Sequence, residues 1–355
     1  MTLSTADDRV SDRTSARLTV NRLSPLALLG AVVAAVALAA LLFAVTPLAG
    51  VAGFVLVAVV FTLLATVALS WRVEGRRRAV DRLATIASSI CLLLALAPLA
   101  GVLGYTIYRG AARISPAFLV HSMAGVGPLD PTGGVYHGII GTLEQVLIAS
   151  LLSVPLGLLV AIYITEYGRG RLATAIRFFV DVMTGIPSIV AGLFVFAFWV
   201  LALHRGFSGL AAGFSLAILM LPVVVRSSEE MIKLVPNSLR EASYALGVPR
   251  WRTILSIVLP TASTGITTGV MLAVARVTGE TAPLLLTAFG NDFIHLNPLH
   301  GGQSALPLLV FQQAGSAYDV AIARAWAGAL TLITIVVLLY AVARGLTRRN
   351  SLARR

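Results

Sequence analysis

Two ionisable residues stand four apart inside an otherwise apolar run of this chain: Arg276 and Glu280, with Thr278 and Thr281 beside them. Four-residue spacing puts both charges on one face of a helix. A guanidinium holds oxyanions in a bidentate grip. A carboxylate one turn away would neutralise it and keep that grip weak. The chemistry this suggests is passage of a small anion, with no bond made or broken. The competing reading is a buried ion pair that fixes helix packing. Gly279 and Pro283 would loosen a helix here and free backbone groups for a polar path.

Bond-making chemistry is harder to find. The chain has no G-x-x-x-x-G-K-[ST] loop, and its single lysine, Lys233, follows Ile232. It therefore does not hold ATP through a P-loop. G-x-S-x-G and H-E-x-x-H are absent as well. Any energy source must be an ion gradient or a separate ATPase subunit. His295 and His300 lie five apart near Asp292, a spacing better suited to solvated loop residues than to a metal site. Cys91 is alone, which rules out an internal disulfide.

A second patterned stretch runs through 229–260. It contains Leu234-Val-Pro-Asn-Ser-Leu-Arg-Glu-Ala-Ser-Tyr-Ala-Leu-Gly-Val-Pro-Arg-Trp251. Pro236 suits the first turn of a helix, and Gly247 the residue just past its end. This predicts a short helix over about 236–246, with Pro249 opening another. A short helix between two turns protrudes as a knob. Leu239, Ala242, Tyr244 and Leu246 make it apolar for a solvated loop, as at partner contacts. An amphipathic connector lying on a membrane is the alternative.

The elements that must carry these groups follow from composition. Of 355 residues, 58% are hydrophobic and 12% charged, and mean hydropathy is +0.91. An ordinary soluble domain carries about 25% charged residues. A disordered chain is excluded and a water-soluble globule disfavoured. An all-α polytopic membrane protein is expected, since about 20 apolar residues cross a bilayer as a helix. Eight such stretches run approximately through 25–46, 48–70, 83–107, 139–165, 178–203, 209–226, 254–288 and 322–343. Pro47 predicts a tight hairpin between the first two. Ionised groups inside such spans are functional candidates.

The net charge of +12 sorts by segment. Of 27 basic residues, 22 fall in residues 1–24, 71–82, 166–177, 226–253 and 344–355. With eight spans these all lie on one side. The positive-inside rule then puts both termini in the cytoplasm. The arginines are dispersed and lack interleaved aromatics, so nucleic acid is not expected as a partner. Glu144 and Gln145 fall early in the fourth span. Asp181 is expected to pair with Arg177 four residues back. Gly209/Gly213 and Gly265/Gly269 have close-packing spacing.

Glu241-Ala242-Ser243, Gly247, Ile257 and Leu259-Pro260 resemble the EAA loop of ABC importer permeases: E-A-A, three residues, G, nine residues, I-x-L-P. Ser243 in place of Ala is the departure. The resemblance implies that this short helix docks on an ATPase subunit, with Glu241, Ala242, Ser243, Gly247 and Leu239 as coupling residues. Arg276-Val-Thr-Gly-Glu-Thr-Ala-Pro-Leu-Leu285 is similar to the R-x-x-G-E-T-A-P-L-L stretch of the A-type membrane subunits of phosphate importers. Leu221-Pro-Val-Val-Val-Arg-Ser-Ser-Glu-Glu230 and Leu306-Pro307 fit that family as well.

The likeness covers about residues 80–345. It implies a type I ABC importer permease fold with a six-helix core. It also implies phosphate as the substrate, and Arg276, Glu280, Thr278 and Thr281 on its path. Arg226 matches a motif position and is either a second pathway residue or a membrane-edge anchor. The implied partners are a homologous C-type permease, two copies of an ATPase that binds ATP-Mg, and an external phosphate-binding protein, at a bacterial cell membrane. The chain itself would bind no cofactor and catalyse no reaction. Residues 25–75 would be an appended hairpin between a tail at 1–24 and the permease domain, and 346–355 a basic tail. A gradient-driven anion transporter, or a permease for another oxyanion, is the alternative.

Overall fold

The computed structural model describes residues 23–46 and 50–352, the last seven and Ala52 by main chain only. The hairpin turn expected at Pro47, the tail arginines Arg9, Arg13, Arg17 and Arg22, and the final Arg354 and Arg355 lie outside the described residues. Regular structure among the described residues is helical, apart from one bridge pairing Phe289 with Gln303. The chain divides into two compact units, up to Val102 and from Leu103 onward.

The first unit holds α1 (Pro25–Val45), α2 (Val51–Glu74) and most of α3 (Arg76–Ala111). Ser24 starts α1 by accepting from the Ala27 N–H, with Pro25 in the first turn. Ala35 and Ala39 are buried where α1 packs on α2, and Phe43 meets Phe54 edge to face. The basic segment 71–82 was expected as a loop. It is helical on both sides of a single break at Gly75, whose φ is +90°. Arginine is a good helix former, and its long stem lets the charge leave the bilayer. The buried Glu74 carboxylate closes the break. It accepts from the Leu23 N–H and Ser70 hydroxyl, both at 2.8 Å, and from Arg82 at 2.9 Å.

The second unit begins with the end of α3 and the short α4 (Pro116–Val120). Next come α5 (Tyr136–Ile162), prolonged by a π turn over Tyr163–Tyr167, and α6 (Arg171–Thr184). α7 (Ser188–Val195) widens to π geometry through Ala202, and α8 spans Gly209–Lys233. After these come α9 (Asn237–Ala245) and α10 (Arg250–Thr253), which runs through a π turn into α11 (Leu259–Thr278). The last elements are α12 (Ala282–Thr287), α13 (Leu306–Ala314) and α14 (Asp319–Leu352). Among the described residues, seven helices are long and apolar enough to cross a membrane, and a bent pair brings the number to eight.

Two spans depart from the sequence reading. The fifth is no straight helix: α6 and α7 meet at 104°. Pro187 lacks an N–H and disfavours α geometry at Ile186, so the chain turns at Gly185-Ile186-Pro187. The seventh, expected as one helix over 254–288, stops at Thr278 and restarts as α12.

α5 and α8 form the centre of this unit and run parallel. Gly213 of α8 faces Ile148, and Gly157 of α5 faces Val224; a Cβ on either glycine would sit 2.5 or 2.8 Å from those side chains. α11 packs antiparallel on α8, with Gly265 against Met231 and Gly269 against Ser227. The small-residue pairs picked out in the sequence thus serve contacts inside the chain. A Cβ on Gly141 would run into the Ser304 carbonyl oxygen, a backbone atom that cannot rotate away. Gly141→Ala should therefore destabilise the fold by about 1–3 kcal/mol, read as a lower melting temperature of the detergent-solubilised chain.

Candidate functional site

The register of α11 on α8 fixes the depth of Arg276. With 265 level with 231 and 269 with 227, position 276 is level with Met220, midway along α8. Arg276 is exposed on the isolated chain and, among the described residues, its guanidinium makes no ion pair or hydrogen bond. It does not stand alone on its face. Thr261, Thr264, Thr268 and Leu272 are also exposed there, at successive helical turns. The Thr261 and Thr268 hydroxyls donate to the Ile257 and Thr264 carbonyls at 2.6 and 2.8 Å, but an unpaired guanidinium at the end of this face is costly against lipid. It suits an aqueous path or another polypeptide. The three threonines were not singled out from sequence. Their spacing with Arg276 is the signal that would have found them.

The helix breaks one turn past Arg276. The Gly279 N–H donates to the Arg276 carbonyl and the Glu280 N–H to that of Val277, both at 3.2 Å, tightening the last turn. Thr281 then begins α12 without a side-chain cap. Interrupted helices at membrane depth are tolerated where they are buried in protein or line a cavity. Because α11 ends at Thr278, the expected one-turn pairing of Arg276 with Glu280 does not form. Glu280 and Thr281 are half-buried at the break. Thr278 is buried, and its hydroxyl donates to the Val274 carbonyl at 2.7 Å. It faces the core and offers nothing to a solute.

At the other end of α11, the knob is present as α9. Pro236 caps it in extended geometry, Gly247 takes φ +76° just past its end, and Pro249 leads into α10. Leu239, Glu241, Ala242, Tyr244, Leu246 and Gly247 are all exposed. Ser243 points inward, contrary to a contact role, and its hydroxyl lies 2.8 Å from that of Thr253. The Ser-for-Ala departure therefore adds a buried bond between α9 and α10.

Arg240 fastens α9 to the rest of the unit. Its guanidinium donates to the Glu166 carboxylate at 2.7 and 3.1 Å, to the Val235 carbonyl at 2.6 Å and to the Ile232 carbonyl at 3.0 Å. Glu166 is buried in the π turn that ends α5. Arg250 donates to the Glu166 carbonyl and stacks on Tyr167. The sequence reading missed this clamp, because no local pattern links positions 74 residues apart.

Beside it lies a charge cluster around Glu229, which is 1% exposed. Lys233 donates to Glu229 at 2.7 Å, Arg226 at 3.0 Å and Arg177 at 3.4 Å. Arg226 also pairs with Asp181. Asp181 thus takes Arg226 as its partner in place of the expected Arg177, which donates to the Ile164 carbonyl at 2.6 Å. Held by two carboxylates, Arg226 ties α6 to α8.

The opposite end of α5 carries a second polar cluster. Gln303 is buried and accepts from Gln145 at 3.0 Å; its amide donates to Glu144 and to the His295 carbonyl. Gln145 also reaches the Ser304 carbonyl at 3.2 Å. Glu144 and Gln145 therefore brace the loop between α12 and α13. No group of three His, Cys, Asp or Glu among the described residues is placed to hold a metal ion.

A long polar face ending at a helix break, and a short exposed helix clamped to the spans, are the parts of a membrane permease. The chain belongs to the family of binding-protein-dependent transport system inner membrane components, whose model matches residues 153–352. Its relatives within that family include phosphate transport system permease proteins. It is 46% identical to PstA 1 of Mycobacterium tuberculosis over 262 residues, 74% of this chain and 85% of that protein. It is 40% identical to PstA of Yersinia pestis over 272 residues, 76% and 91% of the two chains. A solved chain of the MetNI methionine ABC transporter gives a TM-score of 0.49 at 18% identity, over 61% of this chain and 94% of that one.

Proposed function

We propose that this chain is the A-type permease subunit of an ATP-driven importer of inorganic phosphate in a bacterial cell membrane. The observation that carries this reading is the exposed, threonine-bearing face of α11, which leads to an unpaired Arg276 guanidinium level with the middle of α8. That face would line half of a pathway. A homologous C-type permease would supply the other half and cover the groups that lipid cannot. Phosphate would meet the guanidinium bidentately. Glu280, half-buried at the break and not paired with Arg276, would weaken its retention.

Energy would come from two copies of an ATPase that binds ATP-Mg, with α9 of this chain docked on one of them. Closure of the ATPase dimer would push on α9, and the clamp at Arg240 would pass the motion to α5. The bundles would then rock and the Arg276 region change sides. An external binding protein would deliver phosphate at the end opposite α9. The excess of arginine near α9 and in the tails supports cytoplasmic termini. The hairpin at 25–75 would pack against lipid or a neighbour and take no part in the path.

The test is uptake of labelled phosphate in cells that depend on this transporter, together with isolation of the solubilised complex. Saturable uptake that survives an uncoupler while ATP is maintained, with an ATPase subunit isolated alongside, is the expected result. Loss of uptake with the gradient alone would show a secondary transporter, and preference for another oxyanion would overturn the choice of phosphate. Glu241→Ala and Gly247→Ala should each reduce recovery of the ATPase without affecting membrane insertion. The alanine at 247 would also be strained at its positive φ, by about 1 kcal/mol. Recovery equal to wild type would remove α9 from the docking surface.

A further inference from the structure

The loop between α3 and α5 lines a half-open cavity with the makings of an oxyanion site. Its volume is about 510 Å³, and Arg113, Ser115, His121, Ser122 and Thr132 are among the residues that line it. Its position is fixed by α5. The C-terminal end of α5 is clamped to α9, and this loop leads into its N-terminal end. The cavity therefore lies at the end of the unit opposite the coupling helix.

Its walls are held by backbone bonds. The N–H groups of Gly134, Val135 and Tyr136 donate to the carbonyls of Ser122, Phe118 and His121 at 3.2, 2.9 and 3.0 Å. Arg324, buried on α14, donates to the Asp130 and Thr132 carbonyls at 2.8 and 3.0 Å. A side chain on Gly134 would collide with the Phe118 and His121 carbonyls, so the two legs of the loop close tightly.

The free hydrogen-bonding groups are mostly donors. The Arg113 guanidinium makes no ion pair or hydrogen bond among the described residues, and it lies near enough to Arg324 for the two charges to repel. Ser115 accepts from the Phe118 N–H at 3.1 Å and Ser122 from the Ala124 N–H at 3.2 Å. Each hydroxyl therefore keeps its own proton to give. The Asp130 carboxylate is already engaged: the Thr132 N–H and hydroxyl donate to it at 2.8 and 2.7 Å and hold its carboxyl below the usual range. His121 contributes the complementary group. Its Nδ1 faces the Ala117 carbonyl at 2.7 Å and must donate there, which leaves Nε2 of the neutral ring as an acceptor. A protonated phosphate has anionic oxygens for the donors and a P–OH for that nitrogen. Sulfate, without a proton at neutral pH, lacks the second feature.

We propose that this cavity is an outer phosphate subsite, which receives the anion before it reaches Arg276. The proposal rests on the phosphate reading above and adds a second place of binding. It is tested on the purified complex of both permeases and the ATPase, without the binding protein. An Arg276→Gln background removes the pathway arginine. Labelled inorganic phosphate should bind this complex, and adding Arg113→Gln should weaken binding about tenfold or more. Arg113→Lys, which keeps the charge, should stay within about threefold of the parent. Sulfate should compete poorly, and the Arg113→Gln complex should melt at the parent temperature.

Binding unchanged by Arg113→Gln, or absent from the parent complex, overturns the subsite. Displacement of the label by phosphatidylglycerol would assign the donors to a lipid headgroup and also overturn it. Phosphate uptake by cells carrying the wild-type transporter reports separately on the importer reading. If uptake persists when the subsite fails, only the subsite is lost.

Discussion

Arg276→Gln should lower labelled-phosphate uptake by about 30-fold or more, with expression, insertion and ATPase association unchanged. The estimate follows from removing one partner of a desolvated charge contact, which costs about 2–5 kcal/mol. Glutamine keeps the length and polarity of the stem but loses the charge and the fork. The loss should not appear as instability, because Arg276 is exposed on this chain and its guanidinium makes no internal bond among the described residues. A structural ion pair predicts the opposite pattern: a lower melting temperature with uptake kept in whatever protein folds. Arg276→Lys should give an intermediate rate, since an ammonium retains charge without bidentate geometry. Uptake near the wild-type rate in the glutamine variant would take Arg276 off the path.

Arg240→Met should be the most damaging change near α9, although Arg240 belongs to no recognised motif. It would leave the buried Glu166 carboxylate without its guanidinium and free the Val235 and Ile232 carbonyls. Breaking a buried pair from one side costs about 3–5 kcal/mol. Thermal melting of the solubilised complex measures this directly. Adding Glu166→Gln to Arg240→Met should recover part of the loss, because the stranded charge is then gone. ATP hydrolysis should continue in whatever complex assembles, while phosphate uptake falls with the stability of the clamp. A double variant no better than the single one would show that Glu166 and Arg240 are not energetically coupled.

Sequence and structure agree where the signal is local. Apolar length marks the spans, and Pro236, Gly247 and Pro249 delimit α9 to within a residue or so of the observed helix. Gly265 and Gly269, four apart, anticipate the tight packing of α11 on α8. The misses come from two sources. Helix breaks at 185–187 and 279–281 sit inside apolar runs, so hydropathy reads through them even though Pro187 and Gly279 are visible. Pairings between distant positions leave no periodic trace: Arg240 with Glu166, Arg226 with Asp181 and Gln303 with Gln145 join different elements. Residues expected to act together through four-residue spacing, such as Arg276 with Glu280, lose that relation once the helix stops between them. The hydroxyl stripe was visible in the spacing of Thr261, Thr264 and Thr268, but threonine does not stand out by type in a span as arginine does.

α5 with its π turn is a continuous helical segment 32 residues long, about 48 Å at 1.5 Å per residue. α9 is fastened to one end and the α12–α13 loop braced on the other. Two distant surfaces thus share one lever, so a displacement of about 3 Å at α9 becomes a tilt of only about 4° along its length. Such a lever works in both directions. If docking at α9 changes the affinity for an anion at the far end, occupancy of that end must change the affinity at α9 by the same factor. A solute arriving outside would then be felt by the ATPase before it has entered the membrane.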